Sequence, residues 1–457
     1  MSVFAAKAAL ARAAGVASRR SGRGATSLPG TVLLALDPTA IARLAAGLPR
    51  GSVVISATNG KTTTAALSGS ILARAGVTTV DNFAGANMAG GIASALLAAR
   101  TARGPSPKLG LFEVDEFWLA SIAKALRPRV VVLANLFRDQ LDRYGELETI
   151  AERWAGVVAE ATGRLVLGAD DPLVAALGAD AADPIYFGIE DESMARPAGL
   201  AHAADSKQCR RCGGAYEYER VYVGHLGVYA CPNCGERRPR PHVSAHAVCL
   251  DGVKSARFEL RTPAGSGEVE LSLPGLYNVY NALAAAALAT ALEIPLAAII
   301  DGLAAAAPMF GRGERVTAAG HELQIMLMKN PAGANELLRT IALDAGEHHV
   351  LAVLNDRDAD GRDVSWIWDA DFEDFASGVA RLTCAGTRAA ELALRFKYAG
   401  VAPERIRVES DLAQAIDAAI DGAGESTIYA LPTYTAMLEL REVLRKRGQA
   451  RSSWVRA

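Results

Sequence analysis

Long apolar runs are missing from this sequence. No stretch approaches the roughly 20 uninterrupted apolar residues that a membrane-spanning helix needs. The apolar residues 1–15 are broken by Lys7 and Arg12, so they lack a clean signal-peptide core. They read as a short helix of a cytosolic protein, one compatible with resting on a membrane surface without requiring it. An excess of one charge is also missing: 48 Lys and Arg stand against 50 Asp and Glu, which argues against a whole-protein nucleic-acid footprint. Cysteine is scarce, and six in 457 residues are too few for a disulfide framework. No internal repeat or low-complexity tract stands out beyond a general Ala bias. What remains is 51% hydrophobic and 21% charged, an ordinary globular composition with length for two to three domains.

From about residue 50, short β-branched runs alternate with Ala- and Leu-rich helical stretches, the pattern of an α/β domain with a mainly parallel sheet. Strands are expected at residues 52–56, 108–114, 130–134 and 164–167, with a helix over 62–75. Residues 195–205 look irregular, 256–273 alternate like strand, and 278–292 form a strong Ala-rich helix. Pro308 to Gly313 read as a domain junction, after which strands are expected at 349–354, 379–384 and 427–431. The resulting division is an N-terminal helical segment (1–50), a central domain (51–308) with an insert at 205–240, and a C-terminal domain (309–457).

The segment from Val53 to Thr64 has the order strand, tight loop, helix, with Ala57-Thr58-Asn59-Gly60-Lys61-Thr62-Thr63 at its centre. A phosphate chain needs inward backbone N–H groups, the positive end of a helix and one flexible cation. Gly60 permits close approach, Lys61 reaches the outer phosphates, and Thr62 places a hydroxyl on Mg²⁺. The usual G-x-x-x-x-G-K-[ST] pattern is not met, because Ile55 stands where its first Gly would be.

Four of the cysteines, Cys209, Cys212, Cys231 and Cys234, form two C-x-x-C knuckles separated by 18 residues. That is the spacing of a Cys₄ zinc ribbon; four thiolates close the tetrahedron and leave no position for water, so the role is structural. Cys249 and Cys384 read as buried apolar side chains. Residues 205–240 hold seven Lys or Arg against four acids, a modest local charge, and Tyr216, Tyr218, Tyr222 and Tyr229 suit the ribbon's own small core. No nucleic-acid contact is expected.

The shorter loop form TNGKTT (Thr58 to Thr63) resembles the Mur ligase family of ATP-dependent amide-forming enzymes, with Ala57 where that family usually has Gly. Other marks follow in the family's order. They are Glu113-Val114-Asp115-Glu116 at a strand end, and Asn135 to Gly145 with Gln140 in place of a His. Next come Pro274 to Ala282 with Tyr277 in place of a His, and Arg312 within Gly311-Arg-Gly-Glu-Arg315. The resemblance implies ATP contacts from Thr58, Asn59, Gly60, Lys61, Thr62, Thr63, Asn278 and Arg312, with Mg²⁺ held by Thr62 and Glu113.

Two further segments narrow it: Leu327 to Gly333, whose Lys329-Asn330-Pro331 is similar to the family's substrate-side loop, and Leu354 to Asp369, which carries D-G-R-D-V-S-W. With the Cys₄ insert and the missing histidines, the chain closely resembles the MurT family of lipid II isoglutaminyl synthase subunits. That resemblance implies a GatD-type glutamine amidotransferase partner, lipid II as substrate at the inner face of the plasma membrane, and ATP-driven amidation of its D-glutamate α-carboxyl through an acyl phosphate. It also implies that Asp363 completes a Cys–His–Asp arrangement with the partner. Two other readings remain open: an amino-acid-adding Mur or folylpolyglutamate-type ligase, and a zinc-ribbon nucleic-acid-binding ATPase.

Overall fold

The computed structural model describes residues 2–20, 26–82, 86–100, 108–139, 147–196, 205–307, 312–344, 346–424 and 426–449, with Arg312 described by its backbone alone. Gln140 to Gly145, residues 197–204 of the irregular stretch, and residues 308–311 of the junction lie outside them.

In the first two thirds of the chain the strands are β1 (Ser52–Ser56), β2 (Thr78–Asp81), β3 (Lys108–Glu113), β4 (Val130–Leu133), β5 (Arg164–Gly168) and β6 (Ile185–Ile189), followed by β7 (Glu217–Val223), β8 (Leu226–Ala230), β9 (Val243–Asp251), β10 (Ser255–Thr262) and β11 (Gly265–Leu271). Nine form one sheet in the order β11-β10-β9-β6-β5-β4-β1-β3-β2, while β7 and β8 make a separate antiparallel hairpin. The pairs from β2 to β9 are all parallel; β10 and β11 add an antiparallel edge. β1, β3, β4 and β6 are buried almost throughout, as apolar runs covered by helices on both faces must be. Residues 256–273, expected as strand, divide into β10 and β11. The intervening Pro263 cannot donate to a ladder, and the Thr262 hydroxyl closes the turn onto the Gly265 carbonyl at 3.1 Å. Cys249, expected to be buried, is exposed: it lies in the outer half of β9, where burial alternates and this position faces outward.

The helix Leu276–Ala291 is buried on nearly every side. Its run of alanines lets it lie between the sheet and the helix Lys61–Arg74, and an all-round apolar helix is stable only in such a place. The N-terminal helix, expected over residues 1–15, runs Val3–Arg20. Gly15 does not end it; a Cβ there would stand 2.6 Å from the Pro29 ring, so its absence admits the next helix, Leu28–Leu36.

The remaining strands are β12 (Arg312–Ala318), β13 (His321–Met326), β14 (His348–Val353), β15 (Val379–Ala385), β16 (Ile406–Val408) and β17 (Ile428–Pro432). They form a second sheet in the order β12-β13-β17-β14-β15-β16, parallel except for the β12–β13 hairpin. Two apolar clusters cover its faces, one around Phe372 and Phe396, the other around Ile416 and Leu440. Cys384, in β15, is buried as expected. The architecture is the expected one: a central parallel-sheet unit with a cysteine-bearing insert, then a smaller α/β unit. Among the described residues no helix is long and apolar enough to cross a membrane.

Candidate active site

β1 lies where the chain reverses direction across the sheet, with β3 on one side and β4 on the other. Open parallel sheets form their ligand crevice at the carboxyl ends of strands at such a point. The loop leaving β1 turns at Gly60, whose φ of +86° is costly for any residue with a Cβ. Space forbids a side chain as well, because a Cβ at Gly60 would fall 1.9 Å from Asn281 Oδ1.

The loop is fixed by its neighbours. The Asn59 N–H donates to Asn135 Oδ1 at 2.9 Å, and Asn135 Nδ2 donates to the Asn59 carbonyl at 3.0 Å. The Thr58 N–H donates to the Asn135 carbonyl, and the Phe137 N–H to Thr58 Oγ1 at 3.1 Å. Thr63 and Thr64 are buried below, with Thr64 Oγ1 3.4 Å from Asn281 Oδ1. Asn281 Nδ2 in turn donates to Asn278 Oδ1 at 3.0 Å, so Asn278 supports the loop from below while its own Nδ2 reaches the Pro274 carbonyl. Thr62 is half-buried in the first turn of the helix Lys61–Arg74.

Lys61 is only 8% exposed, and its ammonium lies 2.8 Å from Glu116 Oε2 while donating to the Ala57 carbonyl. Burial alone would push this lysine down, but the carboxylates of Glu116, Asp115 and Glu113 more than offset it, so its pKa rises. Burial would likewise raise Glu116; the charges of Lys61 and Lys329 pull it below the ordinary carboxylate value. A fixed cation therefore sits at the mouth of a helix N-terminus.

Glu113, at the end of β3, is held through its backbone by Asn82, which accepts from its N–H at 3.0 Å and donates to its carbonyl at 2.8 Å. Its Oε1 is 3.4 Å from Asn87 Nδ2, whereas Oε2 is buried with no hydrogen-bond partner among the described residues. A buried carboxylate oxygen left without a donor is costly, and a hard cation ligated by oxygens satisfies it. The donor chemistry at Glu113 fits Mg²⁺.

The C-terminal unit closes over this loop. Lys329 Nζ donates to the Thr58 carbonyl at 3.0 Å and pairs with Asp139, while Asn330 Nδ2 donates to Asn59 Oδ1 at 3.0 Å. Asn330 Oδ1 also caps the helix Pro331–Ala342 by accepting the Gly333 N–H at 2.8 Å. Thus Thr58, Asn59, Gly60, Lys61, Thr63, Asn278, Glu113, Lys329 and Asn330 converge on one place; of Arg312 only the backbone, opening β12, is described. Two participants were missed. Glu116 and Asp139 lie inside the segments Glu113 to Glu116 and Asn135 to Gly145, but neither is singled out there, because nothing local assigns either acid its lysine partner.

The four cysteine sulfurs all lie within 4.8 Å of one another, with Cys209···Cys234 at 3.5 Å and Cys212···Cys231 at 3.4 Å. Ligands 2.3 Å from a tetrahedral zinc stand about 3.8 Å apart, so the set fits that ion. Tyr216, Tyr218 and Tyr229 pack ring on ring beneath it, with centroids 5.0–6.4 Å apart, as the ribbon's own core. At the tip of the β7–β8 hairpin His225 is fully buried, 3.3 Å from Asp171 Oδ2, and the same oxygen accepts the Leu136 N–H at 2.7 Å. The ribbon therefore leans on the segment that pins the loop after β1.

Asp363 lies elsewhere, in the long loop after β14. The other acids of that loop are mostly absorbed: Asp356 accepts from Thr387 and Arg388, Asp360 from Thr435, and Asp358 pairs with Arg362. Asp363 is exposed; Oδ1 accepts the Ser365 N–H at 2.8 Å, and that turn holds its carboxyl below the usual range.

Residues 55–233 match the Mur ligase middle domain and residues 327–437 the MurT ligase C-terminal family. The lipid II isoglutaminyl synthase (glutamine-hydrolyzing) subunit MurT of Streptococcus pneumoniae (strain ATCC BAA-255 / R6) is 35% identical, the match covering 94% of each chain. The subunit of the same name from Staphylococcus aureus (strain N315) is 33% identical over 96% of this chain and 97% of its own. Among solved structures, a pseudomurein peptide ligase type C from Methanothermus fervidus superposes with a TM-score of 0.65 at 27% identity, covering 88% of this chain and 79% of that one. With relatives aligned end to end and both family signatures in place, this chain belongs to the MurT family of Mur ligases and is an ATP-dependent ligase.

Proposed function

We propose that this chain uses ATP to amidate the α-carboxyl of D-glutamate in the lipid II stem peptide, drawing ammonia from a GatD-type glutaminase. The observation that carries the reading is the buried Lys61 ammonium among carboxylates at the end of β1, facing Lys329 and Asn330 of the C-terminal unit. The names of the two MurT relatives, which include glutamine hydrolysis, support the choice of substrate and nitrogen source.

A carboxylate resists attack by ammonia because its oxygens are poor leaving groups. Its oxygen first attacks the γ-phosphorus while the bond to the β,γ-bridging oxygen breaks, releasing ADP and giving an acyl phosphate. Ammonia then bonds to the acyl carbon, loses a proton, and phosphate departs with the C–O electron pair. The loop N–H groups and Lys61 neutralise charge that builds on the transferred oxygens. Glu113 and Thr62 would hold Mg²⁺, which when bound would supply further charge neutralisation. Residues 51–308 thus serve activation. Residues 309–457 serve the acceptor side and, through Asp363, orient a histidine of the glutaminase.

The test is ATP-dependent conversion of lipid II with ammonium chloride as nitrogen source and heavy oxygen in the glutamate carboxyl. Appearance of the label in inorganic phosphate together with an amide product is expected. Product formed from a free amino acid instead assigns the chain to the amino-acid-adding ligases and ends this reading.

A further inference from the structure

The N-terminal helix Val3–Arg20 has two apolar faces. Phe4, Ala8, Ala11 and Gly15 face the protein, against the helix Leu28–Leu36 and its neighbours. On the far side Val3 is 76% exposed, Leu10 58% and Val16 41%, and Ala6, Ala9 and Ala13 lie exposed between them. At 3.6 residues per turn these six positions occupy one sector of about 140°, and between residues 3 and 16 no polar residue falls in it. A solvent-facing helix surface is ordinarily charged, so a continuous apolar sector marks a docking face.

Charge selects the occupant. Residues 1–36 contain five Lys or Arg and no Asp or Glu, and residues 1–50 carry seven Lys or Arg and one Asp. That segment is therefore formally +6 in a chain whose total is −2. The cations Lys7 and Arg12 border the apolar sector; Lys7 lies 3.8 Å from Asp37, and Arg12 reaches the Leu97 carbonyl at 3.3 Å. A face that is apolar in the middle and cationic around it complements a surface of hydrocarbon bordered by phosphate groups.

We infer that the N-terminal helix lies on an anionic membrane surface through Val3, Leu10 and Val16, which presents the ligase to a lipid-linked substrate. The inference deepens the proposed function and rests on it only for the purpose of docking; the docking itself is measured without substrate.

The experiment is flotation of the full chain with vesicles of phosphatidylglycerol and phosphatidylcholine in equal parts, beside vesicles of phosphatidylcholine alone. At low salt, partition onto the anionic vesicles at least tenfold above the neutral ones is expected, lost at high salt as the charges are screened. Leu10→Glu, on an exposed position, is expected to lower it at least tenfold while leaving ammonia-driven amidation of detergent-solubilised lipid II unchanged. No anionic preference in the wild type, or equal partition by the variant, overturns the inference. So does self-association, or binding of the glutaminase, that Leu10→Glu abolishes without vesicle binding in the wild type; a second copy or the partner then covers this face. If ammonia-driven amidation of lipid II fails in the wild type while flotation succeeds, the functional reading falls and the docking stands.

Discussion

The two loops to which the proposed function assigns chemistry both leave the carboxyl end of a parallel strand, one after β1 and the other after β14, yet they are built in opposite ways. Around the first, Asn135, Phe137, Asn281, Lys329 and Asn330 fix the backbone or side chain of nearly every residue, and its cation is buried against Glu116. In the second, Asp356 and Asp360 are tied down, but Asp363 faces solvent with, among the described residues, only the Ser365 turn holding it. A pocket that must align phosphates from solution gains by being rigid beforehand. A carboxylate that orients another protein's histidine has to be reachable, and only its direction needs fixing. On the proposed reading, the contrast separates a step this chain performs alone from one it completes for a partner.

The sharpest way to break that contrast is to remove each key residue and read both nitrogen sources. Lys61→Ala is expected to lower amidation by roughly 10²–10³-fold with glutamine or with ammonium chloride, since charge on the transferred phosphoryl then goes unanswered. Near-normal rates with either source would put the phosphoryl chemistry elsewhere. Asp363→Asn is expected to lower the glutamine-driven rate of the reconstituted complex by roughly 10²-fold, at the low end for a group that assists a general base. Its ammonium-driven rate and nucleotide affinity stay at the wild-type level. Equal loss from both sources would make Asp363 part of the ligase site and dissolve the distinction.

How far the sequence foretold this depends on the range of the interaction. The strand–loop–helix around Gly60 and the two C-x-x-C knuckles are local patterns whose geometry follows from a few adjacent residues, and they stand as expected. The alternation of strands and helices was legible for the same reason. Glu116 was not singled out, because its significance lies in facing Lys61, 55 positions away, and nothing in its own neighbourhood marks that. The Asn59–Asn330 amide pair spans 271 positions, and His225 with Asp171 joins an insert to the sheet beneath it. Contacts of that kind depend on how whole units close, which one sequence does not disclose.

The cysteine ribbon extends the comparison, since through His225 and Asp171 it touches the segment beside the first loop. Cys231→Ser, or chelation, is expected to loosen the hairpin and lower the melting temperature by roughly 5–10 °C. Because Asp171 also holds the Leu136 N–H, nucleotide affinity is expected to weaken in parallel, by about tenfold. Melting that falls with unchanged nucleotide affinity would make the ribbon a mere staple.

The smallest effect probes that same link by pH. Burial lowers the His225 pKa, but the Asp171 and Asp205 charges more than offset it, so the folded value lies above the ordinary 6.5. A group whose folded pKa is raised contributes its stability in full below the unfolded value and loses it as pH rises through the folded one. Wild-type melting is therefore expected to drop by a few degrees more than that of His225→Gln as pH rises above about 6.5. His246, His348 and His349 are pulled below 6.5 by burial and push stability the other way, so the difference between wild type and variant isolates His225. If His225 also transmits the ribbon's position, nucleotide affinity will weaken over the same pH interval in the wild type and stay flat in the variant. Parallel pH profiles for the two proteins would show that the imidazolium neither stabilises the hairpin nor steadies the loop that receives ATP.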